Sequence, residues 1–128
     1  MDEKKTKILV VEDNETLRMV LKDSLQKEEG FEVWDAADGA IALDIIMKFS
    51  PDLALLDIDL PKIDGLTLAK MLAEKKLTDK TKIIFLTNEN DISDINTASE
   101  IDGVLGYFIK SDWNIADVIG KIKAKLNV

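Results

Sequence analysis

Apolar runs and helical stripes alternate along the whole chain. Ile8-Leu9-Val10-Val11 is a continuous apolar run, the pattern of a strand buried on both faces. Leu17, Val20, Leu21 and Leu25 follow at helical spacing and predict a helix ending near Gly30. Phe31 to Ala36 alternates apolar and polar, as a half-covered strand does. Asp38 is placed to N-cap a helix with Ile41, Ala42, Ile45, Ile46 and Phe49 on one face, broken at Ser50-Pro51. Leu53 to Leu56 is the third strand, closed by Asp57, and a helix after Gly65 turns Leu66, Ala69 and Leu72 inward. Ile83 to Leu86 is the fourth strand, closed by Thr87. A weaker helix is expected from about Asp91 to Asp102, ended by Gly103. Leu105 to Ile109 is the fifth strand, closed by Lys110, and Ile115, Val118, Ile119, Ile122 and Leu126 mark the last helix.

Repeated β-α units predict an α/β fold with a parallel sheet. Runs one, three and four are apolar throughout and suit central strands. Run two alternates and run five contains Gly106, so both suit edges. The order 2-1-3-4-5 satisfies that pattern, giving a flavodoxin-like (βα)5 three-layer sandwich. Residues 1–128 are expected to form a single domain with its core over about 7–126, a frayed charged N-terminus and no output domain.

Composition narrows the chemistry. The 128 residues contain 46% hydrophobic residues, enough to build a core, and no cysteine or histidine. Disulfides, thiolate metal sites and any imidazole base or nucleophile of this chain are excluded. The formal net charge of -8 disfavours a nucleic-acid partner and suits cation binding. The charged start is no signal peptide, and no apolar stretch approaches the roughly 20 residues that span a bilayer. A cytoplasmic location with no membrane partner is expected.

In an open parallel sheet, ligands bind outside the carboxyl ends of the strands, near the point where the strand order reverses. Glu12 and Asp13, Asp57, Thr87 and Lys110 all fall on that rim. Each alone reads as ordinary loop or turn chemistry; together they describe a phosphate site. Three carboxylates in one mouth repel each other unless a hard cation joins them, and magnesium, or manganese, suits an all-oxygen set. Asp13 and Asp57 would bind it directly, Glu12 through water, and the backbone carbonyl of Asp59 would complete the protein's share. Lys110 and the Thr87 hydroxyl would hold a phosphoryl group, with Asp57 as the carboxylate nucleophile that receives it.

With these motifs the chain resembles the receiver domain of bacterial two-component response regulators. The matching segments are Ile8 to Asp13, Leu56-Asp57 through Pro61 with Asp64-Gly65, Phe85-Leu86-Thr87, and Tyr107 to Lys110. The resemblance implies that Asp57 takes a phosphoryl group from a phosphohistidine on a histidine kinase or a histidine phosphotransfer protein. It implies that Thr87 then moves toward the phosphoryl group and Tyr107 rotates inward. That repacks the face of the fourth helix, fifth strand and fifth helix for a downstream protein partner. Such a chain is a signalling receiver rather than an enzyme, catalysing only its own phosphorylation and dephosphorylation.

The chain departs from the family pattern in places. Ser111 follows Lys110 where the family usually has proline, often after a cis bond. Because Lys110 must still reach Asp57, a cis Lys110–Ser111 bond is expected, against a cost of about 3–4 kcal/mol for a non-proline residue. Asn88 is larger than the usual small residue and narrows access. Asp59 and Glu89 flank the site as variable acidic positions that tune phosphoryl lifetime. Trp34 is expected to pack at the edge strand and Trp113 to anchor the last helix.

A haloacid-dehalogenase-like phosphatase is the alternative, since Asp57-Ile58-Asp59 matches its Asp-x-Asp motif. That motif follows the first strand of its fold, whereas Asp57 ends the third here. A flavin mononucleotide site would need a hydroxyl-rich loop where Glu12-Asp13-Asn14-Glu15 is anionic.

Overall fold

The computed structural model describes residues 4–88 and 92–128. Residues 1–3, where fraying is expected, and Glu89, Asn90 and Asp91 lie outside the described residues. Five parallel strands, β1 (Thr6–Val11), β2 (Phe31–Ala36), β3 (Leu53–Asp57), β4 (Lys82–Thr87) and β5 (Val104–Ile109), form one sheet in the order β2-β1-β3-β4-β5. The helices are α1 (Glu15–Gln26), α2 (Gly39–Phe49), α3 (Gly65–Glu74), α4 (Ile92–Ser99) and α5 (Ile115–Leu126). The alternating run and the glycine-bearing run are the two edges, as their patterns predict.

Side chains alternate across a strand, so each central strand feeds two cores. Leu9, Val11, Ala54, Leu56, Ile83 and Phe85 pack under α2, α3 and α4, meeting Ala42, Ile46, Leu68, Leu72 and Ala98. Ile8, Val10, Leu53, Leu55, Ile84 and Leu86 pack on the other side under α1 and α5, meeting Leu21, Leu25, Val118 and Ile122. The three layers follow from this parity.

Four local expectations change. The first helix stops at Gln26, because residues 27–30 form a turn: Phe31 N–H donates to the Glu28 carbonyl and Gly30 adopts φ +94°. On α2, Ala42 and Ile46 are buried, while Ile41 and Phe49 are 46% and 48% exposed; Phe49 instead stacks on Trp34 with ring centroids 5.8 Å apart. The fourth helix ends at Ser99, and residues 100–102 form turns before Gly103 at φ +92°. The fifth strand begins one residue early, at Val104, and a register shift separates its pairing with Ile83 from that with Ile84. A 3-10 turn at Leu77–Asp79, entered through Lys76 in the left-handed region, has no counterpart in the apolar pattern.

Two glycines place the loop after β3. A Cβ on Gly65 would lie 2.1 Å from the Asp57 carbonyl oxygen, and one on Gly39 would lie 2.1 Å from that of Ile63. The Gly65 N–H donates to the Ile58 carbonyl at 2.8 Å, so α3 starts directly against the chain leaving Asp57. Asp64 caps that helix by accepting from the Thr67 N–H at 2.9 Å. Gly65→Ala is therefore expected to cost at least about 2 kcal/mol, since backbone must move to admit the methyl group. Urea unfolding of the two proteins checks this.

Candidate functional site

Asp57 is the last residue of β3 and is 1% exposed. By alternation it shares the α1/α5 side of the sheet with Leu53 and Leu55. Glu12, one residue past β1, continues the parity of Ile8 and Val10 and is fully buried. Lys110, one residue past β5, continues that of Phe108, and its N–H donates to the Thr87 carbonyl at 2.8 Å, holding the strand end in register. The three side chains therefore converge. The Lys110 Nζ lies 2.8 Å from Asp57 Oδ2 and 2.6 Å from Glu12 Oε1. Asp13 joins them on the exposed side: one carboxylate oxygen each from Glu12, Asp13 and Asp57 lie within 4.8 Å of one another.

The expected cis bond is absent. Among the described residues no peptide bond is cis. The long Lys110 side chain spans from β5 to β3 from a trans backbone, so the site imposes no cost on that bond.

Thr87 and Tyr107 belong to the other side. Thr87 follows the parity of Ile83 and Phe85, and Tyr107 pairs with Phe85. Thr87 is buried, and its hydroxyl donates to the Asn88 carbonyl at 3.1 Å. Tyr107 is exposed. Asn88 and Asp59 are exposed at the mouth, and the Asp59 N–H donates to Asp57 Oδ1 at 3.2 Å. Glu89 lies outside the described residues.

The charges are uneven. Burial pushes the Asp57 carboxyl up to about 7; Lys110 opposes this and the negative charge of Glu12 adds to it. Burial also works against ionised Glu12, but the Lys110 ammonium, the Asn14 N–H and Asp13 outweigh it and hold Glu12 below the ordinary carboxylate range. The hydrogen bond with Glu12, then burial and the charge of Glu12, raise Asp13. Burial disfavours the Lys110 ammonium, yet Asp57 and Glu12 together raise its pKa.

The donor set suits a hard cation. Every candidate ligand atom is oxygen, and the buried Glu12 Oε1 has no directed hydrogen bond among the described residues, only the Lys110 ammonium beside it. Magnesium or manganese fits such a group of carboxylates.

A family model described as the response regulator receiver domain matches residues 8–122. The chain belongs to the response regulator receiver family. It is 36% identical over 120 residues to sporulation initiation phosphotransferase F of Bacillus subtilis, covering 94% of this chain and 93% of that protein. Among solved structures it resembles a response-regulator-like protein from Chloroflexus aurantiacus at 34% identity and TM-score 0.86, covering 98% of this chain and 100% of that one. It also resembles a receiver domain protein from Methanospirillum hungatei at 30% identity and TM-score 0.79, over 97% and 95% of the two chains. Receivers are signalling modules, phosphoacceptors of two-component phosphorelays that work with histidine kinases or phosphotransfer proteins. Family membership and the position of Asp57 on the third strand leave the phosphatase alternative without support.

Sequence reasoning missed what holds the acidic pair. Asn14 caps α1 by accepting from the Leu17 N–H, and its own N–H donates to Glu12 Oε2 at 3.0 Å. Its place just before the first helical stripe was a readable cap signal. Arg18, Lys22 and Asp35 form a second cluster beside the same turn, with no sequence signal.

The raised Asp57 gives a pH signature in metal-free protein. An unfolded aspartate titrates near 3.8 and the folded one at about 7, so the native state holds this proton more tightly. The resulting penalty is absent below the unfolded value, grows as pH rises between the two, and is complete above the folded one. Asp57→Asn removes it. That variant is expected to be more stable than the parent at pH 8 by on the order of 2 kcal/mol, with the gap shrinking toward pH 4. Urea unfolding in chelator across this range would refute it by showing a gap independent of pH.

Proposed function

We propose that Asp57 is the phosphoacceptor, and the observation that carries this is the convergence of Glu12, Asp13 and Asp57 within 4.8 Å, with Lys110 against Asp57. An Asp57 oxygen attacks the phosphorus of a phosphohistidine in line. The P–N bond breaks, and the imidazole leaves with the electron pair and takes up a proton. Water later attacks the aspartyl phosphate, returning the carboxylate and inorganic phosphate. The chain promotes its own phosphorylation and its own dephosphorylation, and acts on no separate small-molecule substrate.

Glu12, Asp13, Asp57 and the backbone carbonyl of Asp59 would hold magnesium or manganese. The ion supplies charge neutralisation for the three carboxylates and the incoming phosphoryl oxygens. Deprotonated Asp57 is the competent nucleophile, and a positive charge beside it offsets the desolvation that raises its pKa. Lys110 meets the added phosphoryl charge. Thr87 turns its hydroxyl from the Asn88 carbonyl toward the phosphoryl group, and Tyr107 moves inward on the same side of the sheet. Both report to the face built from α4, β5 and α5, where a downstream protein docks. Asp59, Asn88 and Glu89 set access and lifetime. Among the described residues no helix is long and apolar enough to cross a membrane. The similarity to a Bacillus protein named as a phosphotransferase supports a place within a relay, receiving from one histidine and passing to another.

With magnesium and acetyl phosphate, intact mass is expected to show one phosphoryl adduct, absent in Asp57→Asn. No adduct, or one that survives that substitution, overturns the assignment. Lys110→Ala is expected to bind magnesium still but to lose the link from phosphorylation to output. The affinity of the downstream partner, measured with and without phosphorylation of that variant, would then stay the same; a normal phosphorylation-dependent gain refutes the role given to Lys110.

A further inference from the structure

We infer that Arg18 is a positioning residue for the cation site, acting through the backbone of the turn after β1. Its Nη1 donates to the Glu12 carbonyl oxygen at 3.0 Å, and its Nε donates to Asp35 Oδ2 at 3.0 Å. Asp35, on edge strand β2, is held in turn by the Lys22 Nζ at 2.8 Å from its Oδ1. One guanidinium thus ties the turn to a neighbouring strand. The side chain is only 14% exposed, so the fork is enclosed rather than waving in solvent.

The consequence falls on Asp13. The peptide that precedes it carries the carbonyl gripped by Arg18. The peptide that follows it carries the Asn14 N–H, which donates to Glu12 Oε2 at 3.0 Å. A peptide group is planar, so fixing one polar atom on each restricts how that plane can turn. Asp13 is exposed and sits between two restrained planes, which sets the direction of its Cβ. That direction brings its carboxylate within 4.8 Å of oxygens of Glu12 and Asp57. Repulsion among the carboxylates would otherwise swing Asp13 outward, away from the two buried ones. Groups that orient ligands in this way typically change metal affinity 10–100-fold when removed.

Arginine is required for its shape. Its rigid planar fork serves the carbonyl and the carboxylate at once through different nitrogens. A lysine keeps the charge but offers one compact ammonium, which cannot reproduce both directions. Asp35 is the outer anchor that stops the fork from rotating.

The inference rests on the reading of Glu12, Asp13 and Asp57 as the magnesium site. Magnesium chloride alone, titrated calorimetrically into the whole chain, tests it without phosphorylation. Arg18→Ala is expected to raise the magnesium Kd about tenfold. Arg18→Lys is expected not to restore it, and Asp35→Asn to show a smaller rise in the same direction. A Kd for Arg18→Ala within twofold of the parent overturns the inference, as does full recovery by Arg18→Lys, which would make charge alone sufficient. If Arg18→Ala does not fold, as judged by cooperative urea unfolding in chelator, Asp35→Asn decides: an unchanged Kd overturns the inference. Failure of Asp57 to take a phosphoryl group, with the magnesium series behaving as expected, would remove the phosphoacceptor assignment and leave this one standing.

Discussion

Two carboxylates and one ammonium at the carboxyl end of the sheet are the constraint on which the site depends. Glu12 and Asp57 are buried beside each other, and the Lys110 Nζ stands 2.6 and 2.8 Å from them. A buried charge without compensation costs several kcal/mol, so neither acid could stay ionised there alone. One cation cannot fully satisfy two anions. The balance shows in opposite responses: Glu12 is held below the ordinary carboxylate range while Asp57 is pushed up to about 7. The site is thus one positive charge short, a deficit that a proton on Asp57 or a bound cation would offset.

The rest of the fold makes that arrangement possible. Alternation along β1, β3 and β5 sends Glu12, Asp57 and Lys110 to the α1/α5 side, while Thr87 and Tyr107 fall on the α4 side. The carboxylate–ammonium group and the Thr87–Tyr107 pair therefore occupy opposite sides of a sheet only one residue thick. Asp57 and Thr87 end the adjacent strands β3 and β4, and Tyr107 lies on β5, the strand after those. Gly65 and Gly39 let the loop after Asp57 lie close against two helix starts, which keeps the rim compact.

Most of the fold was legible because parallel strands covered on both faces must be apolar throughout, and those at the edges need not be. That rule placed β2 at an edge, and Gly106 within the fifth run placed β5 at the other. Helix ends were less legible. Gln26 and Ser99 end their helices early for local turn geometry, and Ile41 and Phe49 are apolar yet turned outward. Phe49 finds its partner in Trp34, a contact between a helix end and an edge strand that no helical period encodes.

The rim residues were legible for a similar reason: each polar residue that closes an apolar strand must emerge at the same end of a parallel sheet. The sequence by itself therefore placed Glu12, Asp13, Asp57 and Lys110 at one end of the sheet, and with no histidine or cysteine, limited their chemistry to that of oxygen and ammonium groups. Only the tertiary structure decided how they meet. The trans bond after Lys110, the pairing of its ammonium with two acids, and the Arg18–Asp35 tie across β2 depend on distances between segments far apart in the chain. Periodicity reports which face a residue occupies, because that repeats along one element. It carries no information on the reach of a side chain across neighbouring strands, which only the packed sheet supplies.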